Sequence, residues 1–132
     1  MDVDIQPDYI PSSEEYDLQC KYETMIDNVC TTIHDNCKSV IQSIDCGEEV
    51  GDWIGNAART AKLQLSNIMS HIPASCTLKC DYFENAVACF EKATSMLIIM
   101  EEGGDLNPNV VSVAFITARM YAYRTITGLD EE

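Results

Sequence analysis

The sequence predicts an all-α fold: a single-domain, antiparallel (up-down-up-down) four-helix bundle with a long first helix and a flexible acidic N-terminal tail. Apolar residues recur at steps of three and four along four segments, and no segment alternates apolar and polar residues as a half-buried strand does. The connections are short, which favours antiparallel neighbours. A length of 132 residues fits one domain. We expect residues 1–12 to form the tail, 13–129 the helical bundle and 130–132 an acidic C-terminal tail.

The first helix is predicted from about Ser13 to Asp45. Ser12 and Glu15 fit a capping box, in which each side chain satisfies a backbone N–H at the start of a helix. The apolar stripe then runs from Leu18 to Ile44, which is about seven turns. The pair Cys46-Gly47 predicts the end of the helix, because glycine readily adopts the left-handed conformation that follows a last turn.

The other three helices are bounded by capping side chains at their starts and by glycine or proline at their ends. Proline stops a helix because it lacks the N–H that the next turn needs. The predicted limits are Glu48 or Asp52 to Ile72 before Pro73, Ser75 or Thr77 to Gly103-Gly104, and Asn107-Pro108 to about Gly128.

The chain is strongly acidic, with 22 Asp and Glu against 8 Lys and Arg, a net charge of -14 and a pI near 4.2. This charge argues against direct binding to nucleic acid or to an anionic membrane. Hydrophobic residues make up 46% of the chain, which is too much for a wholly disordered acidic polypeptide. The composition favours a folded protein whose partner has a basic surface.

The acidic residues are unevenly placed along the chain. Nine of the 22 lie within residues 1–17 and 130–132. Others flank the first and third predicted connections, which lie at the same end of an up-down-up-down bundle. We name this group the acidic pole, and its members are Asp45, Glu48, Glu49, Asp52, Glu101, Glu102 and Asp105.

The acidic pole has two interpretations. Acidic residues gather in solvated loops in many proteins, and they also suit a helix N-terminus through the helix dipole. Alternatively, the pole is a docking site for a basic partner, because complementary charge speeds association and sets orientation. Trp53 lies beside the pole in the sequence and is either a cover of the core or an anchor in an interface.

One segment of the pole suggests an enzyme instead. Residues 48–54, EEVGDWI, lead into an alanine-rich helix and resemble the ExxD segment of all-α nucleotide pyrophosphohydrolases of the MazG-like kind. The resemblance implies that Glu49 and Asp52 join an upstream acidic pair to hold Mg²⁺ against the phosphates of a nucleotide. The upstream pair available here is Glu23 and Asp27, spaced by four residues rather than the family's three, and the later Lys/Arg pattern is not evident.

The cysteines raise a second chemical alternative. Cys30, His34 and Cys37 follow a helical i, i+4, i+7 spacing and are zinc-ligand types, although the CxxC pair typical of structural zinc sites is missing. The chain has seven cysteines, an odd number, and no recognisable secretory signal or membrane-spanning stretch. We therefore expect reduced, mostly structural thiols and an intracellular, cytoplasmic protein.

The sequence favours a small protein that acts by binding another macromolecule, without a cofactor. The expected partner is a protein with a basic surface, such as a nucleic-acid-binding protein that this chain could inhibit, or a larger complex in which it is a subunit or adaptor. The run Met96–Met100 has five apolar residues, more than one helical face can bury, and suggests contact with a partner or a second copy. The alternative is the Mg²⁺-dependent nucleotide pyrophosphohydrolase.

Overall fold

The computed structural model describes residues 13–71 and 77–128, apart from a few side chains at the starts of two helices. The described residues contain helices and loops and no β-strand, so the all-α prediction is confirmed for this part of the chain. The helices are α1 (Ser13–Asp45), α2 (Trp53–Met69), α3 (Thr77–Glu101) and α4 (Pro108–Thr127).

The end of α1 follows from the glycine that comes after it. Gly47 has a φ of +71°, its N–H donates to the carbonyl of Ile44 (3.1 Å), and the N–H of Glu48 donates to that of Ser43 (2.8 Å). This pair of hydrogen bonds is a Schellman motif, which satisfies carbonyls that the last turn leaves open. The predicted end of α1 is confirmed, and the motif turns the chain directly into the acidic first connection.

The end of α3 repeats this motif. Gly103 has a φ of +91° and donates to the carbonyl of Met100 (3.1 Å), while Gly104 donates to that of Ile99 (2.8 Å). Gly104 approaches the helix so closely that an added Cβ would lie 2.7 Å from the Ile99 carbonyl oxygen. The two connections that carry the acidic pole therefore leave their helices in the same way.

The predicted limits of α4 are confirmed at both ends. Asn107 has extended backbone, and its side-chain oxygen accepts the N–H of Asn109 at 2.8 Å, so it caps the helix. Pro108 occupies the first turn, where no intrahelical N–H is needed. Gly128, with a φ of +73°, donates to the carbonyl of Arg124 at 2.7 Å and closes the last turn.

Helix α2 is shorter than the sequence predicts. It begins at Trp53 with Asp52 as N-cap residue, so Glu48 lies in the loop rather than in the helix. It ends at Met69, three residues before the predicted limit of Ile72. The Ser70 hydroxyl donates to the carbonyls of Ser66 (2.9 Å) and Asn67 (3.0 Å), which satisfies backbone acceptors of the last turn.

One apolar core is shared by all four helices. Helix α4 packs mainly against α1 and α3, and α2 packs mainly against α3. The rings of Phe90 in α3 and Phe115 in α4 are buried and meet edge to face, with centroids 6.3 Å apart and an angle of 74° between planes. Burying each phenylalanine contributes about 1.5–3 kcal/mol to folding. Small residues at other core positions let the backbones approach, namely Ala58, Ala61, Ala86, Ala93, Ala118 and Ala122.

Some predictions concern residues outside the described ranges. These are the tails at 1–12 and 130–132, the Ser12 part of the capping box, the stop at Pro73 and the thiol of Cys76. Among the described residues, none of the helices has the length and apolar character that crossing a membrane requires.

The close approach at Gly104 yields a stability prediction. Gly104→Ala should lower the free energy of unfolding by about 1–3 kcal/mol, because the new methyl group meets backbone that cannot move without disturbing the last turn of α3. The measurement is urea unfolding followed by circular dichroism.

Gly55→Ala is the matched control for this prediction. Gly55 lies inside α2, and its added Cβ would have Arg59 Nη1, at 3.9 Å, as its nearest neighbour. This change should stabilise the protein by about 0.5–1 kcal/mol through helix propensity. Equal effects of the two substitutions would contradict the steric argument.

Candidate functional site

A hydrogen bond between the first connection and the last residue of α3 organises the acidic pole. The backbone N–H of Val50 donates to the Glu101 carboxylate, with N and Oε2 2.7 Å apart. Val50 is buried and Glu101 is partly buried, so the bond satisfies an N–H with limited access to water. Two segments that are about 50 residues apart in sequence are thereby held at one place on the surface.

A cleft of about 370 Å³ opens next to this hydrogen bond. Four acidic residues of the pole line it, together with an apolar floor, two glycines and a single arginine. The lining residues are Glu49, Gly51, Asp52, Ile54, Gly55, Arg59, Ile98, Glu101 and Glu102. The cleft therefore offers carboxylates around an apolar centre.

A second cleft, of about 360 Å³, lies on the other side of the first connection. It is formed by the end of α1, the end of α3 and the start of α4, and it shares two of its acidic residues with the first cleft. Its lining residues are Ile44, Gly47, Glu48, Glu49, Met100, Glu101 and Pro108.

Five of the seven residues of the acidic pole thus line one or both clefts. Asp45 and Asp105 do not. Both are exposed, Asp45 at the last position of α1 and Asp105 in the third connection. These two residues add negative charge to the pole but line neither cleft.

Trp53 lies at the surface beside the pole rather than in the core. Its indole N–H donates to the carbonyl of Val50 at 2.8 Å, and 43% of the residue remains exposed. Gly51, with a φ of +98°, allows the turn that brings the indole back over this loop, and a Cβ added at Gly51 would lie 3.6 Å from Trp53 Cδ1. An aromatic ring fixed in orientation but open to solvent is suited to contact with a partner.

Sequence reasoning missed the arginine in the first cleft. Arg59 is exposed and donates a hydrogen bond to the Asn56 side chain. It reaches the cleft because it lies seven residues, or about two helical turns, after Asp52 and so shares a face with it. The sequence shows the spacing between Asp52 and Arg59, but it does not show which face of α2 borders the cleft.

The four carboxylates of the pyrophosphohydrolase alternative are not brought together. Glu49 and Asp52 line the first cleft, beyond the end of α1. Asp27 lies 18 residues before that end of α1, which is about 27 Å along a straight helix, and Glu23 lies about 33 Å away. The likeness to the ExxD segment is local, and among the described residues no three such side chains are grouped to hold a metal ion.

The zinc alternative also lacks its geometry. Cys30 and Cys37 are fully buried members of the apolar core, whereas His34 is partly exposed, with its ring centroid 6.3 Å from that of Tyr123. Burial raises the pKa of Cys37 from 9.0 to about 12, which opposes the thiolate that zinc needs. Within the described residues, no three His, Cys, Asp or Glu side chains are placed to hold a metal ion.

The apolar run Met96–Met100 is divided between core and surface. Leu97 is fully buried, Met96 and Met100 pack at the edge of the core, and Ile98 and Ile99 are exposed. Ile98 also lines the first cleft. The helix therefore buries one part of the run and presents the other next to the acidic pole.

Comparison of the chain with protein-family models, with curated proteins and with solved structures finds no match. Any functional inference therefore depends on the geometry described above.

The hydrogen bond between Val50 and Glu101 leads to a prediction. Glu101→Ala should lower the free energy of unfolding by about 1–2 kcal/mol, because it leaves the Val50 N–H without its acceptor. Hydrogen exchange at the Val50 amide, followed by NMR, should become faster. Glu101→Gln keeps an acceptor oxygen and should have a smaller effect, and Glu102→Ala, at an exposed position, should change stability by less than about 0.5 kcal/mol.

The buried thiol leads to another prediction. At pH 8, iodoacetamide should modify the exposed Cys20 and Cys46 and leave Cys37 unmodified, because burial both shields the Cys37 thiol and raises its pKa. Mass spectrometry of proteolytic fragments measures the modification. In urea, Cys37 should react as the others do, and equal modification in the folded protein would show that the position is open to solvent.

Proposed function

We propose that this protein acts by binding a protein partner with a basic surface through the acidic pole. The observation that carries the proposal is the Val50–Glu101 hydrogen bond, which gathers carboxylates from two distant segments around one cleft. Charge collected in this way steers a basic partner and fixes its orientation. Acidic residues that are only solvated need no hydrogen bond that holds their loops together, so the Val50–Glu101 bond favours a defined binding surface.

The cleft is suited to a lysine or arginine side chain of the partner. Carboxylates at its rim can pair with an ammonium or guanidinium group, and the Ile54 and Ile98 side chains can pack against the aliphatic stem. The exposed ring of Trp53, at the start of α2, can receive a second cation or an apolar anchor. Arg59 limits how many positive groups can enter together.

An up-down-up-down antiparallel order of the helices is part of the proposal, because it places the first and third connections at one end. Cross-helix contacts support it. Residue numbers rise from the first connection into α2 as they fall along α3 in two contacts: the Val50 N–H with Glu101, and Lys62 Nζ with Glu91 Oε2 at 3.3 Å. The ring pairs Phe90–Phe115 and His34–Tyr123 agree with the same order around α4.

The partner class that best matches this surface is a nucleic-acid-binding protein, whose basic surface evolved to meet phosphate. Binding the acidic pole there would compete with nucleic acid and inhibit the partner. An adaptor role in a larger complex uses the same surface without inhibition. We propose an intracellular setting for either role, which the free thiols of Cys37 and Cys89 support.

The test compares two variants of equal charge. One neutralises five exposed residues of the pole and leaves Glu101 in place: Glu48→Gln, Glu49→Gln, Asp52→Asn, Glu102→Gln and Asp105→Asn. The other neutralises five exposed acidic residues elsewhere: Glu14→Gln, Asp17→Asn, Asp35→Asn, Asp81→Asn and Glu84→Gln.

Each protein is used as bait in an extract of its native source at about 50 mM salt, and bound proteins are eluted at about 500 mM salt, where exposed charges are screened. The captured partner is then purified and titrated against all three proteins by calorimetry. The pole variant should bind at least about tenfold more weakly than the unmodified chain, whereas the control variant should bind within about threefold of it.

Three results would contradict the proposal. Equal weakening by both variants would mean that only total charge matters. Unchanged binding by the pole variant would place the interface elsewhere. Capture that does not weaken as the salt concentration rises would exclude a charge-driven interface.

A further inference from the structure

The outer face of α4 carries an apolar stripe that no other helix covers. Val110, Val113 and Ile116 are each about half exposed, with Val113 at 59%, and their spacing of three residues places them along one side of the helix. Met120 continues the stripe and is partly exposed. Single exposed apolar residues are ordinary, but a contiguous stripe of them on a helix is typical of an interaction surface.

The charge of α4 indicates what can cover this stripe. Helix α4 contains no Asp or Glu, although the chain as a whole carries a net charge of -14. Its cationic residues are Arg119 and Arg124, both partly buried, and the Arg124 guanidinium lies 5.9 Å from the ring centres of Tyr82 and Tyr121. A basic partner finds no carboxylate on this helix, so the face is unsuited to the ligand of the acidic pole.

We infer that the outer face of α4 binds the same face of a second copy of this chain. A two-fold axis near the middle of the stripe sets the two α4 helices antiparallel, so that Val110 of one copy lies near Met120 of the other. Helix α4 itself brings no Asp or Glu to this contact, so two strongly acidic chains can meet there without carboxylates of the two helices opposing each other.

Charge at the two ends of α4 selects the antiparallel orientation. In this arrangement the Arg124 end of each helix lies beside the exposed Asp105 of the second copy, which precedes the start of its α4. The two helix dipoles are also opposed, so the N-terminus of one helix faces the C-terminus of the other. A parallel arrangement would place the two Asp105 carboxylates, and the two acidic poles, next to each other.

The dimer is weak and strengthens with salt. Helix α4 has 20 residues and is about 30 Å long, so a single-helix interface is at the low end of the size of specific interfaces. The repulsion between two chains of charge -14 exceeds the attraction of the two Arg124–Asp105 pairs. Salt screens this repulsion, so the dimer fraction rises with salt, which is opposite to the behaviour of the proposed basic interface.

Sedimentation equilibrium of the purified full chain tests the inference. The unmodified protein should show a monomer–dimer equilibrium whose dimer fraction is larger at about 500 mM than at about 50 mM salt. Val113→Asp should raise the dissociation constant at least about tenfold, because it puts a charged group into the apolar contact between the two helices. Ile116→Lys should weaken the dimer by a similar factor, because it also replaces an apolar contact with a charged group and does so with the opposite sign of charge.

Leu63→Asp is the matched control. Leu63 is 72% exposed on α2, away from the stripe, and its substitution should change the dissociation constant by less than about twofold. All the substituted positions are at the surface, and thermal melting followed by circular dichroism verifies that each variant remains folded.

The inference is overturned if the protein is monomeric at all salt and protein concentrations, or if Leu63→Asp disrupts the dimer as strongly as Val113→Asp. A dimer broken by Ile99→Asp but not by Val113→Asp would place the interface on the apolar run at the end of α3. None of these results bears on the basic partner, which is tested by the variants of the acidic pole.

Discussion

The burial of one apolar stripe from each of four helices in a shared core is the constraint on which the rest of this structure depends. Phe90 and Phe115 are at its centre, and the alanines around them let the helices approach closely. Cys30 and Cys37 are enclosed by the same core and act there as small apolar groups. Polar and charged side chains are consequently displaced to the outer faces and the connections, which determines where a functional surface can form.

In the acidic pole, charged side chains that lie outside the core are held in a defined arrangement. Loops attract acidic residues in many proteins, but here the Val50 N–H is satisfied by Glu101 at the end of α3, so the first connection is held against the start of the third. The Schellman motifs at Gly47 and Gly103 give both helices the same exit into these loops. The charge that surrounds the cleft is therefore a consequence of backbone hydrogen bonding as much as of composition.

The two faces proposed for binding differ in physical character. The acidic pole combines carboxylates with a fixed but exposed Trp53, and charge dominates it. The outer face of α4 has an apolar stripe and no carboxylate, so hydrophobic contact dominates it. Salt should weaken the first kind of contact and strengthen the second between acidic chains, so the two proposed interfaces can be told apart by their salt dependence.

The sequence by itself determined the helical class, the caps of α4 at Asn107 and Gly128, and the clustering of acidic residues in two connections, because these depend on local backbone preference and on periodicity. Only the tertiary structure decided which groups meet. It placed Asp27 about five turns before the end of α1, away from Asp52, and brought Arg59 into the cleft. It also left Val113 exposed. Such outcomes depend on which face each helix turns toward its neighbours, and this is decided by packing across the whole core rather than by any local pattern.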